Sequence, residues 1–245
     1  MSVYEQILIA KAIGRKLLAV LLDPDKQDRQ ENVVRLIAGG GVDMVFVGGS
    51  GYSRPVDDYV GSLRRQLSAY NCHCPVVLFP GDICQFSPEA DALLFLSLIS
   101  GRNADLLVGR HVRAAKAVRE SGIETIPMGY ILVDGGRVSA TERVTGTIPL
   151  QSEEEIVSTA LAGEMLGQRL IYLEAGSGAK RPVSVSVISS VSKALRVPLI
   201  VGGGIRSTEQ LKNAASAGAD LLVVGNHFET HPEDIPLFAK ALKTL

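Results

Sequence analysis

Short apolar runs alternate with helix-patterned stretches along almost the whole chain, and the period of that alternation predicts its elements. Val3, Ile7, Leu8, Ala10 and Ala12 recur at helical spacing, so residues 2–13 are expected to form a leading helix. Residues 17–22, Leu-Leu-Ala-Val-Leu-Leu, are apolar on both faces, as buried parallel strands are. Further strands are expected at residues 43–47, 75–79, 92–98, 124–132, 170–174, 199–201 and 221–224. Helical patterns fall between them at 28–38, 56–70, 108–120 and 183–195. One more helix opens at Gln151 behind a capping box of Ser152 against Glu155. Another is capped by Ser207 with Gln210 behind it, and a last one covers 232–242.

The alternation falters twice. Between strands three and four, Gly81 to Ala90 holds a proline and a capping Ser87, with room for about one helical turn. After strand five, the turn residues of Val133-Asp134-Gly135-Gly136-Arg137-Val138 suggest a small hairpin. The pattern as a whole is α/β: a modified (βα)8 TIM barrel without a full helix between strands three and four, which leaves an apolar gap in its outer ring. A chain of 245 residues matches the ~250 typical of one such barrel, so residues 1–245 are expected to form a single domain.

Composition adds exclusions. The net charge of −1 lacks the basic surplus of a nucleic-acid footprint. No apolar run approaches the ~20 residues needed to cross a bilayer. No secretory signal opens the chain, so the three cysteines, Cys72, Cys74 and Cys84, are expected to be reduced thiols of a cytoplasmic protein. Cys72-His73-Cys74 lacks a second ligand pair and is a poor zinc set.

In such barrels the chemistry sits at the C-terminal strand ends. Strands six, seven and eight end in glycine: Glu174-Ala175-Gly176-Ser177-Gly178, Gly202-Gly203-Gly204 and Gly225-Asn226. Turns with so little side chain let consecutive N–H groups converge on an anion, and a following helix adds its positive end. Three in succession point to a phosphate cradle, whereas turn geometry alone is the plainer reading. Lys180, Arg181, Arg206 and His227 are nearby cations or donors without an assigned role. After strand one, Asp23 and Asp25 stand one residue apart, and Ser50 after strand two adds a hydroxyl; this suits a hard divalent cation, or else Asp23 caps the turn before Pro24. Lys26 is placed to meet a second phosphate group. Glu174 faces the cradle directly and would repel a phosphate unless it serves a hydroxyl on the same molecule, whose proton it can accept. The plainer alternative pairs Glu174 with Lys180 or Arg181. Tyr172 either fills the barrel or meets substrate beside that carboxylate. These parts fit group transfer from a metal-bound diphosphate to a phosphorylated polyol.

Leu22-Asp23-Pro24-Asp25-Lys26, Gly48-Gly49-Ser50, Tyr172-Leu173-Glu174-Ala175-Gly176-Ser177-Gly178, Gly202-Gly203-Gly204-Ile205-Arg206 and Gly225-Asn226 resemble the geranylgeranylglyceryl phosphate synthase family from strand one to strand eight. The resemblance implies a prenyltransferase of ether phospholipid biosynthesis. It would join a polyprenyl diphosphate, with geranylgeranyl diphosphate expected, to sn-glycerol 1-phosphate, using Mg2+ and working as a homo-oligomer. Carried over by motif, Asp23 and Ser50 hold the magnesium. Tyr172, Leu173, Glu174, Ala175, Gly176, Ser177, Gly178, Gly203, Gly204, Gly225 and Asn226 bind glycerol phosphate, with Glu174 on its hydroxyls and Glu174 and Tyr172 as the catalytic pair. The related bacterial heptaprenyl branch has a lysine where this chain has Leu21, so the sequence looks closer to the archaeal-type group. Archaeal-type relatives limit chain length with an aromatic residue just after strand four; the equivalent here is Leu106, which predicts a roomier groove. Two rivals share the glycine turns: a phosphate-binding barrel enzyme acting on a phosphorylated sugar or heterocycle, and a non-catalytic barrel that binds a phosphorylated ligand. Neither needs the apolar gap or the Asp-Pro-Asp corner.

Overall fold

Eight parallel strands close on themselves in chain order: β1 (Leu17–Leu22), β2 (Met44–Val47), β3 (Val76–Leu78), β4 (Ala92–Leu98), β5 (Glu124–Leu132), β6 (Leu170–Glu174), β7 (Leu199–Gly202) and β8 (Leu221–Val224). The computed structural model describes residues 1–26, 30–49, 56–81 and 85–245. Outside the barrel lie α1 (Val3–Ala12), α2 (Gln30–Gly40), α3 (Val56–Ala69), α4 (Arg110–Ser121), α5 (Ala140–Thr145), α6 (Glu153–Met165), α7 (Val185–Ala194), α8 (Thr208–Ser216), α9 (Asn226–Thr230) and α10 (Ile235–Leu242). Among the described residues no α-helix separates β3 from β4, as the short connection requires. No helix is long and apolar enough to cross a membrane.

Side chains alternate across each strand, which divides the core into two clusters. Leu17 and Ala19 of β1, Met44 and Phe46 of β2, Met128 and Tyr130 of β5, and Leu170 and Tyr172 of β6 pack into the barrel interior. Leu18, Val20, Val45, Val47, Ile171 and Leu173 face the helix layer instead. The same parity, continued past the strand ends, assigns Asp23 to the inward row of β1 and Glu174 to that of β6. Geometry alone therefore aims both carboxylates at the C-terminal mouth.

The opposite mouth is stoppered by α1. Val3, Tyr4, Ile7 and Ala10 bury themselves in the interior cluster with Leu17, Ile126 and Leu170. Ser2 caps the helix with a full box to Glu5. Beyond that local cap, the carboxylate of Glu124, at the start of β5, accepts the N–H groups of Val3 (2.6 Å) and Tyr4 (2.9 Å). An anion at that end satisfies orphan donors and meets the positive end of the helix dipole. Arg169 lies 3.7 Å over the Tyr4 ring and completes the seal.

Several expectations are corrected. The hairpin at residues 133–138 does not form: Val133 makes one isolated parallel bridge to Leu150, and a parallel return needs a crossover rather than a tight turn. The crossover is α5, whose capping box runs between Ser139 and Glu142. In the box expected at Ser152, the hydroxyl accepts the N–H of Glu155, but the reciprocal contact is not made among the described residues. The helix expected at 108–120 begins earlier, as a π-helical turn over Asp105–Gly109 that leads into α4. The final helix is divided: α9 follows β8 at once, a 3-10 turn covers Pro232–Asp234, and α10 starts only at Ile235. Pro232 opens that 3-10 turn, where a missing N–H costs little. The helix expected from residue 28 begins at Gln30 and runs to Gly40, and Asp28 lies outside the described residues.

Replacing Glu124 by Ala should uncap α1. Chemical denaturation is expected to show a loss of about 2 kcal/mol, from two charge-assisted hydrogen bonds and the dipole contact. An unchanged unfolding midpoint would mean that α1 is held by its apolar face and the Ser2 cap without help from Glu124.

Candidate active site at the C-terminal mouth

Glu174 sits at the centre of the mouth and is almost fully buried, with 7% of its surface exposed. Its Oε1 accepts the N–H of Gly176 at 2.7 Å, which bends the chain after β6 back over the carboxylate. The Tyr172 hydroxyl donates the second hydrogen bond. Burial raises the Glu174 carboxyl above its ordinary value, and these two donors only partly offset it. Burial and the nearby Glu174 charge hold the Tyr172 phenol well above the usual tyrosine range, so it remains a donor. The expected alternative, Glu174 paired with Lys180 or Arg181, is not formed. Arg181 instead lies 3.6 Å from Asp134, and no ion pair of Lys180 is found among the described residues.

Glycine makes room for this arrangement. A Cβ on Gly202 would fall 2.1 Å from the Tyr172 hydroxyl, and one on Gly203 would fall 2.3 Å from Glu174 Oε1. Gly203 (φ 80°) and Gly204 (φ 72°) both occupy the left-handed region as well. Gly176 and Gly178 do the same in the turn after β6. The backbone N–H groups of Ser177, Gly203, Gly204 and Asn226 donate to no acceptor among the described residues. Donors left open at three adjoining turns are what an anion cradle offers. The Ser177 hydroxyl links two of these turns by donating to Asn226 Oδ1 at 2.9 Å. Leu173 and Ala175 face the helix layer, and the Ala175 N–H is taken by the Gly202 carbonyl at 3.1 Å. Any part they play is one of backbone shape.

At the neighbouring corner Asp23 is half-buried, and its carboxylate lies against Gly49, where a Cβ would meet it at 2.6 Å. Asp23 Oδ1 accepts the Asp25 N–H at 3.1 Å, so the turn-capping role and the corner position coexist. The Lys26 ammonium lies 3.7 Å from Asp23 and 2.9 Å from both Glu229 oxygens. Burial disfavours its charge, but Glu229 and Asp23 together hold its pKa above the ordinary lysine value. Among the described residues no three His, Cys, Asp or Glu side chains group as a metal cage. One carboxylate beside open space suits Mg2+ of the kind that keeps its waters and shares substrate phosphate oxygens. Ser50 lies outside the described residues.

One cavity, about 280 Å3, joins these corners. It runs from Asp23, Gly203, Gly204 and Asn226, past Glu174 and Tyr172, to a groove walled by Phe86, Leu93, Phe95, Leu106, Ala114 and Val118. The groove opens where a helix between β3 and β4 would otherwise pack, which exposes the outward residues of β4 to the apolar stripe of α4. Leu106 stands in its wall, on the π-helical turn. Two residues went unnoticed in the sequence. Tyr130 stacks on Tyr172 with centroids 5.3 Å apart, and Phe79 lies 5.2 Å from Tyr172 and 6.0 Å from Tyr130, so the three rings close an aromatic floor beneath Glu174. Tyr130 and Tyr172 are register partners on β5 and β6; the signal was an aromatic residue two places before the strand end. Two candidates are turned to structural use. His227 bonds Asp234 at 2.8 Å and stacks on Phe238, and Arg206 donates to the Ala179 and Lys180 carbonyls.

Fold and site together define a (βα)8 barrel whose polar groups converge at the C-terminal mouth beside an apolar groove. The model of the PcrB family matches residues 11–242, and the chain belongs to that family. It is 48% identical to the geranylgeranylglyceryl phosphate synthase of Spirosoma linguale, over 95% of this chain and 94% of that protein. With the enzyme of the same name from Korarchaeum cryptofilum it shares 40% identity over 88% of each chain. The crystal structure of (S)-3-O-geranylgeranylglyceryl phosphate synthase from Thermoplasma acidophilum, in complex with its substrate sn-glycerol-1-phosphate, superposes with a TM-score of 0.90 at 33% identity, covering 100% of both chains.

The opposed effects on Glu174 can be separated. The Tyr172 hydrogen bond lowers the Glu174 pKa while burial raises it, so Tyr172→Phe removes a lowering contribution and should move the titration further upward. Carboxyl 13C NMR, with Glu174→Gln to assign the resonance, reads the shift directly. A downward move would show that the phenol is not the donor.

Proposed function

We propose that this chain is an Mg2+-dependent prenyltransferase that forms an ether bond between sn-glycerol 1-phosphate and a polyprenyl diphosphate, with geranylgeranyl diphosphate the expected donor, and releases diphosphate for ether phospholipid synthesis. The observation that carries this reading is the cavity, which joins a glycine cradle, a buried carboxylate and a long apolar groove in one continuous space. A barrel for a phosphorylated sugar has use for the cradle but none for the groove. The Thermoplasma acidophilum structure with sn-glycerol-1-phosphate and the names of the relatives support the same reading.

In this mechanism the open N–H groups of Ser177, Gly203, Gly204 and Asn226 bind the glycerol phosphate and aim its free hydroxyl at Glu174. Glu174, its pKa raised by burial, orients that hydroxyl and takes its proton. The oxygen–carbon bond to the prenyl group forms as the carbon–oxygen bond to diphosphate breaks. Tyr172 steadies the base, and the floor of Phe79, Tyr130 and Tyr172 keeps water from the reacting carbon. Anchoring both partners makes a bimolecular encounter a positioned one, worth up to ~7–11 kcal/mol. Asp23, with Ser50, would hold Mg2+, whose charge offsets that of the departing diphosphate. Lys26 is released from Glu229 to meet the same group.

Three measurements test the reading. Purified protein with Mg2+, sn-glycerol 1-phosphate and prenyl diphosphates of several lengths should yield the ether product by mass spectrometry; no product from any donor would end the proposal. Asp23→Asn should remove most turnover and leave the fold intact, while Glu174→Gln should lower kcat by roughly 10²–10⁴ with phosphate affinity kept. The proposed groove also predicts that Leu106→Trp shortens the preferred prenyl chain and barely changes glycerol phosphate affinity. An identical product distribution before and after that substitution would route the chain elsewhere.

A further inference from the structure

The loop after β6 does not hold its own shape. Its open donors at Ser177 and its neighbours are stabilised by few contacts within the loop, chiefly the Gly176 N–H on Glu174 and the Ala179 N–H on the Gly176 carbonyl at 3.0 Å. Two outside elements bear on it. From one side comes the β5–α5 connection, where a hairpin was expected. The Gly135 carbonyl accepts the N–H groups of both Lys180 (2.9 Å) and Arg181 (3.1 Å). Gly135 is buried, and a Cβ on it would lie 2.3 Å from the Ala175 carbonyl oxygen and 2.6 Å from the Ala179 methyl. Its φ is not among the left-handed ones, so closeness rather than backbone freedom demands glycine here. Ser139, at the head of α5, presses on Gly176, where a Cβ would meet its Cβ at 2.4 Å. Arg181 folds back over Gly136 toward Asp134, and the Gly136 N–H is tied to Asp134 Oδ1 at 2.8 Å.

From the other side comes Arg206, in the turn after β7. Its guanidinium donates to the Ala179 carbonyl at 2.6 Å and the Lys180 carbonyl at 3.4 Å. Its own N–H is held by Gln210 Oε1 at 2.7 Å, inside the first turn of α8. Among the described residues the cation pairs with no carboxylate; its charge is spent on two backbone carbonyls of the cradle loop. A guanidinium fork with two acceptors fixes orientation as well as distance.

We infer that Gly135 and Arg206 are positioning residues: between them they clamp residues 179–181, and so hold the β6 loop in the form whose open N–H groups bind the phosphate of the acceptor. Neither touches the reacting atoms. This rests on the proposed acceptor, glycerol phosphate, but the clamp makes a prediction of its own for any phosphate monoester. Losing the fork leaves the Ala179 and Lys180 carbonyls without their charged partner and frees the loop, so phosphate affinity falls while the chemical step, set by Glu174, does not.

The test uses the full chain and its Arg206→Gln, Arg206→Lys and Gly135→Ala variants. For Arg206→Gln, KM for sn-glycerol 1-phosphate should rise about tenfold, the weight of one charge-assisted hydrogen bond, with kcat and the prenyl diphosphate KM within about twofold. Arg206→Lys should recover part of the loss, since it restores charge without the fork. Thermal protection by inorganic phosphate, measured without prenyl donor, should weaken in the same order. If Gly135→Ala fails to fold, the two Arg206 variants still decide the matter. An unchanged KM with unchanged phosphate protection overturns the inference, as does a fall in kcat at constant KM. If the wild-type chain makes no ether product yet phosphate protection falls in the Arg206 variants, the clamp stands and the functional reading fails.

Discussion

A carboxylate placed inside a barrel is the constraint around which the upper half of the molecule is built. Glu174 continues the inward row of β6, and the inward rows of its neighbours must leave space for it. On β7 that space is taken by glycine: side chains at 202 and 203 would occupy the positions of the Tyr172 hydroxyl and the Glu174 carboxylate. The two donors that serve Glu174, Tyr172 and the Gly176 N–H, come from its own strand and its own turn. Both favour the charged form, yet burial outweighs them. The result is a buried carboxyl with a raised pKa rather than a salt bridge at rest, and among the described residues no cation pairs with it. The anion-binding turn is a consequence of the same bend, because the N–H that caps Glu174 also starts the loop whose later N–H groups stay open.

The groove follows from an omission. Between β3 and β4 the chain is too short for a helix, so the outward residues Leu93 and Phe95 have α4 on one side and open space on the other. The cavity-lining face of α4 carries Ala114 and Val118 together with Arg110 and His111. The His111 ring meets Phe95 edge-on with centroids 4.4 Å apart, and burial keeps its pKa below the ordinary histidine value. Leu93, Phe95, Ala114 and Val118 give the groove apolar walls, whereas Asp23, Lys26 and Arg110 bring charge to the same cavity.

Parity and glycine made much of this legible. The eight strands and the missing helix follow from continuous apolar runs and the length of the connections between them, a signal that parallel barrels carry strongly. The inward aim of Asp23 and Glu174 follows instead from the alternation of side chains across the strands. The connection at 133–138 was misread for a physical reason: Asp-Gly-Gly is turn chemistry whether the chain reverses into a hairpin or enters a capped helix, and only the parallel bridge of Val133 to Leu150 separates the two. Tyr130 was passed over because an aromatic on a barrel strand looks like filling until its register partner is known to be Tyr172. Arg206 and His227 had no role legible in the sequence because a sequence shows charge and omits direction; one is spent on carbonyls, the other on Asp234. The start of the last helical stretch at Pro232 was legible, but its opening 3-10 turn and α9 were not, since three and five residues offer too few turns for a period to declare itself.

Stability and chemistry are kept at opposite ends. A buried carboxyl with a raised pKa works against folding: the unfolded chain ionises it more easily, so its contribution to stability is greatest at low pH and declines as pH rises through the interval between its unfolded and folded values. Where Glu174 is ionised, the mouth is therefore the costly end of the molecule. The opposite end carries the offset. There α1 fills the barrel with Tyr4 and Ile7, Glu124 holds its first turn, and Asp220 receives Lys11 at 2.8 Å and the Leu199 N–H at 2.9 Å. None of these groups reaches the mouth, so they are free to be optimised for rigidity alone. A barrel closed at the bottom by a helix can tolerate an open side, a buried acid and unsatisfied N–H groups at the top, because the strands that carry them are already fixed by the stopper.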